Sequence, residues 1–183
     1  QVRAAAGCYR AETRLAGVLR AAGFTHHRVF WRMRIELADL GVPADPWPRS
    51  VTIRRVDVAD RAELQLVHRL DTETFREHVG VVEHTFEEFC ERTVDGVHFD
   101  PSLWWVAESD GSAAGFLVAD NRRVDVGGGW VRALGVLRQF RGRGVGRALL
   151  GEAFAEFRRR GLSHAMLAVD SENTTGATAL YDS

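Results

Sequence analysis

Between residues 130 and 161 the chain passes from an apolar strand pattern through alternating glycine and arginine into an amphipathic helical pattern, and no other stretch constrains the fold as tightly. Residues 130–136 carry one charge, Arg132. Leu137-Arg-Gln-Phe-Arg-Gly-Arg-Gly-Val-Gly-Arg147 follows, and Val145, Leu149, Leu150, Ala153, Phe154 and Phe157 then fall on one helical face. Arg158, Arg159 and Arg160 lie in the last turn, where cations favour the negative end of the helix dipole, and Gly161 is placed to cap it. Gly142, Gly144 and Gly146 lack Cβ atoms, so backbone N–H groups can close on a ligand at the positive end of that helix. With Arg141, Arg143 and Arg147 beside them, the turn suits an anion whose charge is spread over several oxygens. A pyrophosphate is the natural guest.

Composition narrows the choice of ligand. All 24 basic side chains are arginine, which removes the Walker-A loop, with its lysine, and enzymes that need an amine nucleophile. A dinucleotide fingerprint counted from Gly142 needs glycine at position 147 and finds Arg147. The net charge of −1 supplies no basic field, so nucleic acid is not an expected partner. Cys8 and Cys90 lie far apart and the seven histidines show no ligand spacing, so no metal site is expected. No apolar run approaches the ~18–20 residues of a membrane helix, and residues 1–10 lack the apolar core of a signal peptide. The expectation is a cytoplasmic protein with no membrane contact. A length of 183 residues fits one domain and part of another.

The remaining sequence supplies the elements around this unit. Pro43, Pro46 and Pro48 make residues 41–50 a linker. Before it stand a helix around 11–22, stopped by Gly23, and an extended run over 27–37 with Val29, Trp31, Met33, Ile35 and Leu37 at period two. After it come a strand at 51–55 and a helix from Asp60 to about Phe75, with Leu64, Val67, His68, Asp71 and Thr72 at helical spacing. Thr85 followed by Glu88 predicts a capping box and a second helix. Residues 104–108 and 114–119 read as a hairpin around Asp110-Gly111, and 165–169 as a strand. Residues 171–181 begin a last helix, giving the order β-α-α-β-β-β-α-β-α from residue 51.

The turn Arg141-Gly-Arg-Gly144-Val-Gly146 fits the pattern [Arg/Gln]-x-x-Gly-x-Gly and resembles that of the GNAT superfamily of N-acetyltransferases. Leu134-Gly-Val136 ahead of it and Ala177-x-x-Leu-Tyr181 behind it extend the resemblance, as does the element order over about 130 residues. The resemblance implies an α/β (α+β) fold, a mixed, mostly antiparallel sheet flanked by helices, with acetyl-CoA as acyl donor and no metal. It implies that Leu134, Gly135 and Val136 pair with the pantetheine arm and that the Val136 N–H stabilises an oxyanion. It assigns Arg141, Gly142, Arg143, Gly144, Val145, Gly146 and Arg147 to the pyrophosphate. Tyr181 becomes the acid that protonates the departing thiolate, and Asn173 or Thr174 a contact in the preceding loop.

The acceptor would be a primary amine of a small molecule or peptide, with Asp71, Glu73, Glu77 and His78 as candidate polar linings. For the general base, Asp170, Glu172, Glu108, Glu73 and a water relay stay open. A GNAT-like module that binds acyl-CoA without turnover is the alternative, and exposed Trp47, Trp104 or Trp105 on a scaffold a third. Residues 1–40 look like the tail of a preceding GNAT repeat, and 51–183 like a domain truncated at its C-terminus, as in a tandem-GNAT protein. On that reading residues 24–37 fill the vacant place in the sheet, either within one chain or between chains in a swapped homodimer.

Overall fold

The computed structural model describes residues 6–40, 50–76 and 84–170. Among these, six strands form one sheet: β1 (Phe30–Glu36), β2 (Val51–Arg55), β3 (Trp104–Ser109), β4 (Ser112–Asp120), β5 (Gly128–Val136) and β6 (His164–Asp170). Their spatial order is β1-β6-β5-β4-β3-β2. Only β5 and β6 run parallel, joined by the crossover helix α4 (Val145–Arg159). The other helices are α1 (Thr13–Ala21), α2 (Arg61–Phe75) and α3 (Phe86–Thr93).

Local chemistry accounts for most of these elements. The Asp60 carboxylate caps α2 by accepting from the Ala62 N–H. At α3 both halves of the capping box form, Glu88 N–H to Thr85 Oγ1 at 3.2 Å and Thr85 N–H to Glu88 Oε2 at 2.9 Å. Asp110 and Gly111 take φ of 53° and 75°, the pair of positive angles a two-residue hairpin between β3 and β4 demands.

Helices α2 and α3 cover one face of the sheet and α4 the other. On the first face Phe75 of α2 meets Phe116 of β4 edge to face, and Phe89 of α3 meets Trp104 of β3. On the second, Gly129 leaves the space that the Phe157 ring occupies; a Cβ there would lie 2.3 Å from it. Trp104 and Trp105 are buried in this core, which removes them as scaffold contacts.

The N-terminal strand expected over 27–37 fills the edge beside β6 within the same chain. Phe30 to Glu36 pair antiparallel with Asp170 to His164. Arg158 of α4 secures the turn after β1 by donating to the carbonyls of Leu37, at 2.8 Å, and Leu40. Helix α1 forms where expected but has no buried residue. The helix expected over 171–181 and most of the linker at 41–50 lie outside the described residues.

One buried charge departs from the sequence reading. Glu156 lies among the buried positions of α4, on a side where only apolar residues were expected. Arg55, Arg159 and Arg160 surround its carboxylate. Burial raises its pKa, and the hydrogen bonds from Arg159, Arg160 and Arg55 outweigh that and hold it at about 2.

Candidate active site

Strands β5 and β6 begin side by side and then part. Their pairing runs from Gly128–His164 to Val131–Leu167 and stops, while β5 continues paired to β4 as far as Gly115–Val136. The cause is a bulge: β4 residues Val118 and Ala119 oppose Ala133 and Val131, so Arg132 is an extra residue in β5. Beyond it the two parallel strands diverge toward their C-terminal ends. Leu137 donates its N–H to Ala114 of β4. By strand alternation Val136 and Leu134 therefore turn theirs to the opposite side, into the gap.

The glycine and arginine turn closes the wide end of that gap. Arg141 Nε donates to the Val136 carbonyl at 3.0 Å, tying the turn to the end of β5. Gly142 and Gly144 take φ of 74° and 77°, a left-handed conformation that L side chains rarely adopt. A Cβ at Gly142 would meet nothing within 4 Å, so open space adjoins the turn there. Gly144 is the N-cap of α4 and supplies no side-chain cap. Among the described residues, no backbone carbonyl accepts from the N–H groups of residues 142–147; the first such bond is Ala148 to Gly144. Arg143 reaches Asp110 at 3.4 Å, and Arg147 is exposed. The structure thus brings Leu134, Gly135, Val136 and residues 141–147 into one site. Asn173, Thr174 and Tyr181 lie outside the described residues, as do Glu77 and His78.

Helix α2 packs over one face of β5 beside the gap. Its Thr74 sits against Gly135, where a Cβ would come within 2.4 Å of the Thr74 Oγ1. One turn earlier, Asp71 is half-buried beside the Arg132 bulge. Burial pushes its pKa up, against the opposing fields of His68, Arg132, His84 and Arg92. Of the carboxylates considered as base, Asp170 pairs with Arg28, Glu108 pairs with Arg54 at 2.8 Å, Glu73 is exposed, and Glu172 is outside the described residues. Asp71, read from the sequence only as a polar lining, is thus the carboxylate nearest in setting to a base. Arg132 was missed, although a lone charge in an otherwise apolar strand run was a signal for it. Among the described residues no cluster of His, Cys, Asp and Glu could hold a metal ion.

The sequence matches the Acetyltransferase (GNAT) family over residues 64–183. Mycothiol acetyltransferase of Thermobispora bispora is 36% identical over 169 residues, 89% of this chain and 56% of that protein. Mycothiol acetyltransferase of Beutenbergia cavernae is 30% identical over 174 residues, 91% of this chain and 58% of that protein. The chain spans little more than half the length of these curated relatives. Among solved structures, a GCN5-related N-acetyltransferase from Sphaerobacter thermophilus superposes with a TM-score of 0.72 at 31% identity, over 94% of this chain and 52% of that one. The ribosomal-protein-S18-alanine N-acetyltransferase from Escherichia coli, at 20% identity and a TM-score of 0.55, shares the fold over 72% of this chain and 74% of that one. A splayed parallel strand pair, a bare-amide turn at its open end and the match over residues 64–183 agree: the chain belongs to the acetyltransferase (GNAT) family.

Proposed function

We propose that the chain transfers an acetyl group from acetyl-CoA to a primary amine of a small molecule or peptide. One juxtaposition carries the reading: an uncapped, glycine-lined helix start beside a strand edge whose N–H groups face no partner strand. A diphosphate needs several donors at once, and the amides of residues 142–147 with the guanidinium groups of Arg141, Arg143 and Arg147 supply them. A pantetheine arm carries amides, and the gap edge at Leu134 and Val136 offers the pairing of an added strand. The names of the mycothiol acetyltransferases add support from relatives.

Acetyl-CoA supplies a thioester whose carbonyl carbon is open to attack by nitrogen. The chain's part is to hold that carbon in reach of the amine and to exchange protons. The Val136 N–H would donate to the carbonyl oxygen as charge builds on it. Tyr181 would give a proton to the departing sulfur, and Asn173 and Thr174 would line the loop before it. Direct attack needs no covalent enzyme intermediate; its rate gain comes from orientation and from donors fixed beforehand.

Titration calorimetry with acetyl-CoA, CoA and dephosphorylated CoA tests the reading. Gly144→Glu and Arg147→Glu should each weaken acetyl-CoA at least about tenfold, by placing a carboxylate where the diphosphate sits. Because Gly144 also carries a positive φ, the exposed Arg147 variant keeps the result independent of folding. Indifference of the chain to all three ligands ends the proposal.

A further inference from the structure

The bulge at Arg132 sets an arginine within the field of Asp71, and neither charge is paired. Arg132 makes no hydrogen bond or ion pair among the described residues, and neither does the Asp71 carboxylate. Each lies in the field of the other, yet no contact within 4.0 Å joins them. Arg132 also lies in the fields of Arg122 and Asp120, and Asp71 in those of His68, His84 and Arg92. Their neighbours show the contrast. Asp120, a few residues away on β4, takes Arg122 on both oxygens, at 2.9 and 2.6 Å. Arg92 turns to the ring of His84. The two satisfied groups leave Arg132 as the surplus cation and Asp71 as the surplus anion.

Arg132 also lines a recess of about 150 Å³ between the end of α3 and strands β3 to β5. Phe99, Trp104 and Val118 form its apolar wall, and Asp120 and Arg122 stand beside Arg132. A cavity of this size takes a benzene-sized group. Arg132 is exposed as a residue, and partial desolvation, with Arg122 adding to it, pushes its pKa down. Its planar fork can meet a carboxylate through two N–H groups.

We propose that the amine acceptor is a zwitterion with a small apolar side chain: its carboxylate binds Arg132, its ammonium faces Asp71, and its side chain enters the recess. This rests on the acetyl-transfer reading above. The ammonium N–H bond breaks toward the Asp71 carboxylate, and the freed nitrogen pair forms the bond to the acetyl carbon. The C–S bond breaks with its electrons on sulfur. Of the two protons the nitrogen gives up, one passes through Asp71 to water and the other leaves on the thiol.

The test is a set of apolar L-amino acids beside the amines that lack their carboxylate, assayed by CoA release with the chain and with Arg132→Gln. The wild type should favour each acid over its matched amine by at least about tenfold in kcat/KM, and Arg132→Gln should bring that ratio to within about threefold of one. Asp71→Asn should lower kcat far more than it raises KM for the acid, and should abolish the acid limb of the pH profile. Equal use of acids and amines by the wild type, or an equal loss on both in Arg132→Gln, overturns the proposal. Calorimetry of the amino acids without acetyl-CoA separates the two readings. Binding that Arg132→Gln removes, in a chain that ignores acetyl-CoA, supports the zwitterion site while ending the transferase reading. Acetyl-CoA binding without any amino-acid preference does the reverse.

Discussion

Gly135→Ala bears most directly on how the fold holds the site. An ideal Cβ at this position would lie 2.4 Å from Thr74 Oγ1, 2.6 Å from Phe116 Cε1 and 2.9 Å from Thr74 Cβ. Neither neighbour can yield easily. The Thr74 hydroxyl is buried and donates to the Leu70 carbonyl at 2.7 Å, and the Phe116 ring is fully buried against Phe75. Forcing a methyl group into such a contact costs about 2–3 kcal/mol, at the upper end for overpacking because both neighbours are held. For a chain of this size that corresponds to a melting temperature lowered by about 4 to 12 °C. Urea denaturation followed by tryptophan fluorescence measures the loss, with an unchanged slope as the check for two-state behaviour. Adding Thr74→Ala removes the closest atom, so the double variant should recover about 1 kcal/mol relative to the sum of the singles. A Gly135→Ala chain within about 0.5 kcal/mol of wild type would refute the packing of α2 on β5 described here, as would strict additivity in the cycle.

Further predictions concern charge. Glu156 has a folded pKa of about 2 against 4.5, so its stabilising contribution is complete above pH 4.5 and is lost as pH falls toward 2. Glu156→Gln should flatten acid denaturation in that window by about 2–3 kcal/mol, read from unfolding curves at stepped pH; an unchanged pH profile would contradict the arginine cluster around this buried carboxylate. Asp71 has the opposite sign. Burial raises its folded pKa above 3.8, so its ionisation costs the fold stability as pH rises through that range. Asp71→Asn should therefore melt higher than wild type at pH 7 and no differently well below 3.8, and a lower melting point at pH 7 would sink this. Arg158→Ala removes the clamp on the Leu37 and Leu40 carbonyls, and should cost about 1–2 kcal/mol and speed amide exchange in β1 selectively. Uniform exchange across the sheet would contradict it.

Features fixed by neighbours in sequence were legible, and those fixed by neighbours in space were not. The capping box at Thr85 and Glu88, the Asp110-Gly111 hairpin and the glycine turn before α4 all follow from residues a few positions apart. Period two in residues 27–37 foretold a strand, and the strand found its partner in β6. The bulge at Arg132 depends on how two strands register against each other, which no local pattern encodes. Glu156 was hidden for a similar reason: its three arginine partners include Arg55, 101 positions away. Asp71 was legible only as a candidate polar lining, and Arg132 only as a lone charge in an apolar run. Their meaning arises only where α2, through Thr74 and Gly135, lies down on β5.

The central claim is that the gap between β5 and β6, with the turn at its open end, holds acetyl-CoA. Amide chemical shifts recorded while acetyl-CoA is titrated into the chain test it most directly. The account predicts the largest shifts at Leu134, Val136 and residues 142–147, with β2 and β3 at the far edge of the sheet unmoved. No saturable shift, or shifts centred on any other surface, would contradict it.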